Sequence, residues 1–376
     1  THGIGRGDRV AYLGFNTPEC VIALFACAKL GAVYLPLNWR LALPELDHVL
    51  GHADPKVLIA DFPHREAAVG LVTGRSECTL IDCANVVSAS EDSDTVLMES
   101  NFGGGLDMPL LLVYTSGTTG QPKSITHRAG GMLLQLSKEH LIHGDMKPDD
   151  VTFFFTTTGW MMWNYLIASL VSGATVILFD GSPLKPPSVL WDLAERHGIT
   201  VFGTSAAYLA ALEKTGYRPK DKHPKLKVQQ VLSTGSPLRP SLYPFILDAV
   251  GSDILIGSVT GGTDICSLFA GHNTALPVYA GEIQCRNLGM DIDVFDDSGK
   301  SAGVGKEGDL VCKTPFPVQP LGFWKQPEQK YKDSYYTQNP GVWHHGDFVM
   351  LSEHGGLVML GRSDGVLNPG ESLSRM

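Results

Sequence analysis

Charged residues, long apolar runs and paired cysteines are all scarce in this chain, and each shortage removes a class of protein. Only 18% of its 376 residues are charged, against 43% hydrophobic, which is the composition of a packed globular chain and not of a disordered one. Lysine and arginine (29) are outnumbered by aspartate and glutamate (39), and the formal charge of −10 argues against general nucleic-acid binding. The longest apolar run, Tyr165 to Phe179, is broken by Ser169, Ser172 and Gly173 and is too short to span a bilayer. Seven cysteines (Cys20, Cys27, Cys78, Cys83, Cys266, Cys285, Cys312) are scattered and form no C-x-x-C pair. That pattern predicts reduced thiols in a cytoplasmic setting and argues against a zinc site. No internal repeat or low-complexity tract stands out.

What the chain does have is one dense stretch, Leu110 to Lys123, reading LLLVYTSGTTGQPK. Leu110 to Val113 is a buried strand by pattern, after which the chain turns abruptly polar. Gly117 and Gly120 allow close backbone approach, while Thr115, Ser116, Thr118 and Thr119 bring hydroxyls. A loop rich in N–H and O–H donors, closed by Lys123, suits a polyphosphate. An ordinary glycine turn explains a lone glycine pair but not this run. The P-loop signature G-x-x-x-x-G-K-[ST] is missed by one residue: Pro122 stands where its second glycine would be. Proline withholds the N–H that such a phosphate cradle uses.

Along the chain, strand and helix alternate. Arg9 to Leu13 reads as a strand, and Thr17-Pro18 as the start of a helix running to Leu30 and closed by Gly31. Ala32 to Leu37, Leu43 to Gly51 and Lys56 to Asp61 continue as strand, helix and strand. This rhythm predicts an α/β fold with parallel sheet covered on both faces. It resumes at Val151 to Phe155 and persists to Asp253 to Gly257, giving a second doubly wound lobe. Beyond Val278 helix signals vanish and short strands with turns predict a small β-rich lobe. The expected divisions are residues 1–109, 110–277, 278–361 and a remainder at 362–376.

The phosphate loop YTSGTTGQPK resembles that of the adenylate-forming enzymes: acyl-CoA synthetases, luciferases and peptide-synthetase adenylation domains. Four later stretches are similar to that superfamily in the same order. Ser233 to Pro237 resembles the segment that packs along adenine, with Gly235, Ser236 and Pro237 as the contacts. Val259 to Asp264 follows, where Thr263 would bond a phosphate oxygen and Asp264 would hold Mg²⁺. In Trp343 to Asp347, Asp347 matches the ribose-binding aspartate. Gly361 to Asp364 resembles the entry to the interdomain hinge, with Arg362 on the ribose or phosphate and Asp364 as the pivot. The adjacent His344 and His345 would point to opposite faces of a strand, which disfavours a joint metal site.

From Leu110 to Gly370 the likeness narrows to the acetoacetyl-CoA synthetases. It is carried by His127 to Gly131, Lys138 to His140, Thr156 to Asn164, Asp180 to Pro183, Ser233 to Leu238 and Gly281 to Cys285. The rare Trp160-Met161-Met162-Trp163 run is either core packing at helical spacing or, at Trp160 and Met161, an acyl pocket. Gly261 and Gly262 would border that pocket, glycine at 261 leaving room for an acid longer than acetate. The resemblance implies the large domain of an adenylate-forming enzyme that uses ATP, Mg²⁺ and coenzyme A to activate a short carboxylic acid. It places Thr115, Ser116, Gly117, Thr118, Thr119, Gly120 and Lys123 on the triphosphate. The superfamily's small C-terminal domain is expected to be missing, and thioester formation impaired with it. Two other readings stay open: a fatty-acyl-CoA ligase, suggested by YLPLNWRL at Tyr34 to Leu41, and a non-catalytic nucleotide-binding module. His127 is left open between a structural and a catalytic role.

Overall fold

The computed structural model describes residues 3–86, 104–115 and 122–363. Two central sheets share one core. The first has seven strands in the order Gly322–Phe323, Ser124–Arg128, Pro109–Tyr114, Val33–Leu37, Arg9–Leu13, Val57–Ala60 and Thr79–Asp82. Five of these strands run parallel, while the pairings made by Ser124–Arg128 are antiparallel. Val33–Leu37 and Val57–Ala60 are buried at every position, as expected of parallel strands with helices on both faces. The second sheet is wholly parallel: Leu255–Ser258, Gln230–Thr234, Val201–Ser205, Val151–Phe154 and Thr175–Ile177. Trp191 stacks on Phe202 at 4.5 Å beneath it. Leu111, Val113 and Ile125 of the first sheet and Phe154, Val201 and Leu232 of the second meet in a common core.

Two antiparallel sheets complete the chain. One joins Thr260–Gly262, Ser267–Gly271 and Cys285–Arg286; the other joins Ile292–Phe295, Glu307–Cys312, Trp343–Leu351 and Leu357–Arg362. The α/β class is as the sequence predicts, but sheet membership cuts across the expected lines. Leu111 pairs with Tyr34, so the strand that delivers the phosphate loop belongs to the first sheet. An apolar run tells that a strand is buried, not which neighbour it finds. The three-stranded sheet likewise crosses the expected line between residues 277 and 278.

A helix at Glu328–Tyr336 stands where no helix is expected. Its sequence, EQKYKDSYY, is polar overall, and Tyr331 and Tyr335 make its one aromatic i,i+4 pair. Packing carries it: Tyr335 stacks on Trp343 with ring centroids 3.8 Å apart, and Phe323 meets both tyrosines edge-on. Among the described residues no helix is long and apolar enough to cross a membrane. All seven cysteines are free thiols.

The helix Ala129–Lys138 runs on into a wider turn, Glu139–His143, that brings Glu139, His140 and His143 into the core. With His127 and His272 these make four buried imidazoles. Burial lowers His127, His140 and His143 to about 4 and His272 to about 3. An unfolded chain protonates histidine below about pH 6.5, so between that pH and about 4 the unfolded state binds more protons. Stability is therefore full above pH 6.5 and is lost as pH falls toward 4, each ring adding a slope of at most about 1.4 kcal/mol per pH unit. Urea midpoints should hold from pH 7.5 to about 6.5 and then fall steadily to pH 4.5. A flat profile would show that these rings are solvated.

Candidate active site

The carboxyl ends of the second sheet's strands and the edges of both antiparallel sheets converge on one cleft of about 230 Å³. Open parallel sheets take ligands at this end of their strands. Trp160 and Met161 enter from the start of the helix Met161–Ala168, and Gly235, Ser236 and Pro237 from the turn after Gln230–Thr234. Gly261, Gly262 and Thr263 come from the hairpin after Leu255–Ser258, and Asp347 and Arg362 from the outer sheet. Ten residues singled out from five separate stretches thus border one space. Met162 borders it too, whereas Trp163 is core, stacked on Tyr34 and donating its indole N–H to Asn16 at 2.8 Å.

Lys123 and Asp264 do not line that cleft; they form an ion pair next to it, Asp264 directly following the lining residue Thr263. Lys123 Nζ lies 3.0 Å from Asp264 Oδ1, and both side chains are partly exposed. Thr115 is tied to Lys123 across the glycine-rich segment: its amide donates to the Lys123 carbonyl at 3.0 Å, and its hydroxyl accepts the Lys123 amide at 3.1 Å. Ser116, Gly117, Thr118, Thr119, Gly120 and Asp364 lie outside the described residues. Burial opposes ionisation of Asp264, but Lys123, His345 and Tyr335 outweigh it and hold the carboxyl below its ordinary range.

Asp347 and Arg362 face each other as cross-strand partners and form an ion pair at 2.8 Å, the carboxylate buried and the guanidinium more open. Gly346 makes this approach feasible. Its φ is +84°, and a Cβ there would sit 2.9 Å from Arg362 Nη2. His344 turns toward Asp309 and His345 toward Asp347, at 3.5 and 3.7 Å.

Gly261 has a different reason to be glycine than the acid-size argument supposes. A Cβ on it would lie 2.0 Å from the Ser267 carbonyl oxygen and 2.8 Å from the Leu268 Cα. The crowding is with the facing strand's backbone, so the position demands glycine before any ligand is considered.

Three contributors escaped the sequence analysis. His127, fully buried in the neutral form, places Nε2 3.1 Å from the Thr263 carbonyl and so anchors the segment that carries Asp264. His345 is buried beside Gly262, its pKa lowered by burial although Asp347 and Asp264 pull the other way. Tyr335 donates its hydroxyl to Asp264 Oδ1, and Lys123 Nζ lies 4.7 Å from the centre of its ring. Burial and the adjacent carboxylate push that phenol far above its ordinary value, so it remains a donor. The Tyr331/Tyr335 spacing was the one sequence signal for it.

The donor set fits Mg²⁺ of the kind that is held mostly by substrate. No group of three or more His, Cys, Asp or Glu among the described residues is placed to hold a metal by itself. One carboxylate, Asp264, beside the Lys123 ammonium suits a small, hard ion that keeps its waters and binds nucleotide phosphates.

The chain belongs to the AMP-binding enzyme family, the adenylate-forming superfamily, whose signature it matches over residues 1–319. Among its relatives are acetoacetyl-CoA synthetases. That of Gallus gallus is 40% identical over 98% of this chain and 60% of its own length. That of Rhizobium meliloti is 38% identical over 98% of this chain, again covering 60% of the relative. The solved acetoacetyl-CoA synthetase of Streptomyces lividans superposes with a TM-score of 0.89 at 36% identity, covering 98% of this chain and 60% of that one. The chain thus spans about three fifths of the length of the curated relatives it matches.

Proposed function

We propose that the chain activates a short carboxylic acid, acetoacetate foremost, as its acyl-adenylate for transfer to coenzyme A. The observation that carries this reading is the single cleft joining Trp160 and Met161, the Gly235–Pro237 turn, Thr263, and the Asp347–Arg362 pair. In the first half-reaction a carboxylate oxygen of the acid attacks the α-phosphorus of ATP. A P–O bond forms to the acid, the bond to pyrophosphate breaks, and charge grows on the departing oxygens. Lys123 offsets that charge once its ammonium exchanges the Asp264 carboxylate for a phosphate oxygen. Asp347 is the group to accept the ribose hydroxyls, with Arg362 turning from it to the ribose or phosphate. Asp264 would hold Mg²⁺, which when bound screens the phosphate charge. In the second half-reaction the thiol sulfur of coenzyme A attacks the acyl carbon, loses its proton and displaces AMP.

A small acid suits the walls. Trp160, Met161, Met162, Leu268 and Ile283 are bulky and line the same limited space as the nucleotide groups. Acid-dependent exchange of labelled pyrophosphate into ATP tests the reading. With a panel from acetate to palmitate, acetoacetate should give the highest rate. A preference for long chains would transfer the assignment to a fatty-acyl-CoA ligase. No exchange with any acid, despite ATP binding, would leave a nucleotide-binding module.

A further inference from the structure

Both donors that reach the Asp264 carboxylate use the same oxygen. Lys123 Nζ and the Tyr335 hydroxyl meet at Oδ1, and no donor among the described residues is on Oδ2. A carboxylate free to spin about its last bond offers a metal either oxygen, singly or as a pair. One whose Oδ1 is held from two sides offers Oδ2 alone, in one direction.

Tyr335 is itself tightly fixed. Its ring lies flat on Trp343, 3.8 Å between centroids and 13° between planes, and both side chains are almost wholly buried. The opposite demands on it are met by one ring: the hydroxyl bonds the acid of the pair while the π face lies near the base, Lys123. A positive charge over an aromatic face is attracted to it. When Lys123 leaves Asp264 for a phosphate, the phenol keeps Oδ1 occupied and a second anchor for the ammonium stays nearby.

From this geometry we infer that Tyr335 is a positioning residue of the nucleotide site, holding Asp264 so that Oδ2 alone is presented to the divalent cation that accompanies ATP. The inference rests on the reading of the cleft as an ATP site. Its consequence is an energetic coupling: the metal strengthens ATP binding only as well as Tyr335 aims the carboxylate. Tyr335 touches neither acid nor phosphate in this scheme and acts through Asp264.

Tyr335→Phe deletes the hydroxyl and keeps the stack on Trp343 and the face toward Lys123. Calorimetric ATP affinities, measured with Mg²⁺ and again with EDTA, give the gain due to the metal. The expected result is a gain about tenfold smaller in Tyr335→Phe, the scale of one hydrogen bond to a charged group, with metal-free affinity unchanged. Tyr331→Phe, on the same helix but bonded to Gln319, should leave the gain intact. In an Asp264→Asn background, Tyr335→Phe should have no further effect on it. An undiminished gain in Tyr335→Phe overturns the inference. So does an equal loss with and without metal, which marks a merely structural tyrosine. If the unaltered chain binds no ATP under either condition, the reading of the cleft fails and the inference falls with it.

Discussion

Lys123→Ala should lower acid-dependent pyrophosphate exchange by about 10²–10³-fold, the usual toll of losing one preorganised electrostatic contact to a transition state. Lys123 Nζ lies within 3.0 Å of Asp264 Oδ1, so the substitution has a second consequence. Asp264 loses the largest of the influences holding its carboxyl down against burial, and its titration should move upward. Lys123→Arg keeps the charge but spreads it over a planar fork, and should recover binding better than rate. Exchange that is measurable and unchanged in Lys123→Ala would remove the phosphate-loop lysine from the chemistry.

The second large effect belongs to Gly261, where the expected result has changed with the structure. If 261 were simply an open wall of an acid pocket, Gly261→Trp would exclude acetoacetate and spare ATP. With a Cβ only 2.0 Å from a backbone oxygen of the facing strand, even Gly261→Ala must prise the hairpin open. Overpacking of this kind costs about 1–3 kcal/mol, and more where backbone must move. The same hairpin carries Thr263 and Asp264, so ATP affinity and thermal stability should drop together in both variants. A Gly261→Trp chain of normal stability and ATP affinity that has lost only acetoacetate would restore the simple pocket-wall view.

The sequence was most informative where chemistry is compressed into a short stretch. Thr115 and Lys123 sit eight residues apart, and that span is closed by one backbone hydrogen bond and one from the Lys123 amide to the Thr115 hydroxyl. Asp347 and Arg362 are each recognisable within their own motif, and a β pairing brings them together. The Trp160–Trp163 run divides as helical geometry requires: the residues at its start face the cleft, and Trp163 turns into the core.

Less legible were the elements that only partners stabilise. The helix Glu328–Tyr336 has almost no apolar stripe, and its reason to exist is the Trp343 ring, seven residues beyond its end. His127 looked like part of a family motif, but its bond to the Thr263 carbonyl joins positions 136 residues apart.

By itself, then, the sequence determined the α/β alternation and singled out Lys123, Asp264, Asp347 and Arg362 as candidates, because local spacing and side-chain chemistry suffice for these. Only the tertiary structure decided that the phosphate-loop strand joins the first sheet, that Gly261 answers to a neighbouring backbone, and that Tyr335 and Lys123 share one carboxylate oxygen. The physical reason is common to all three. Each depends on atoms far apart in the chain meeting at van der Waals or hydrogen-bond distance, and periodicity along one segment carries no information about the segment it will meet.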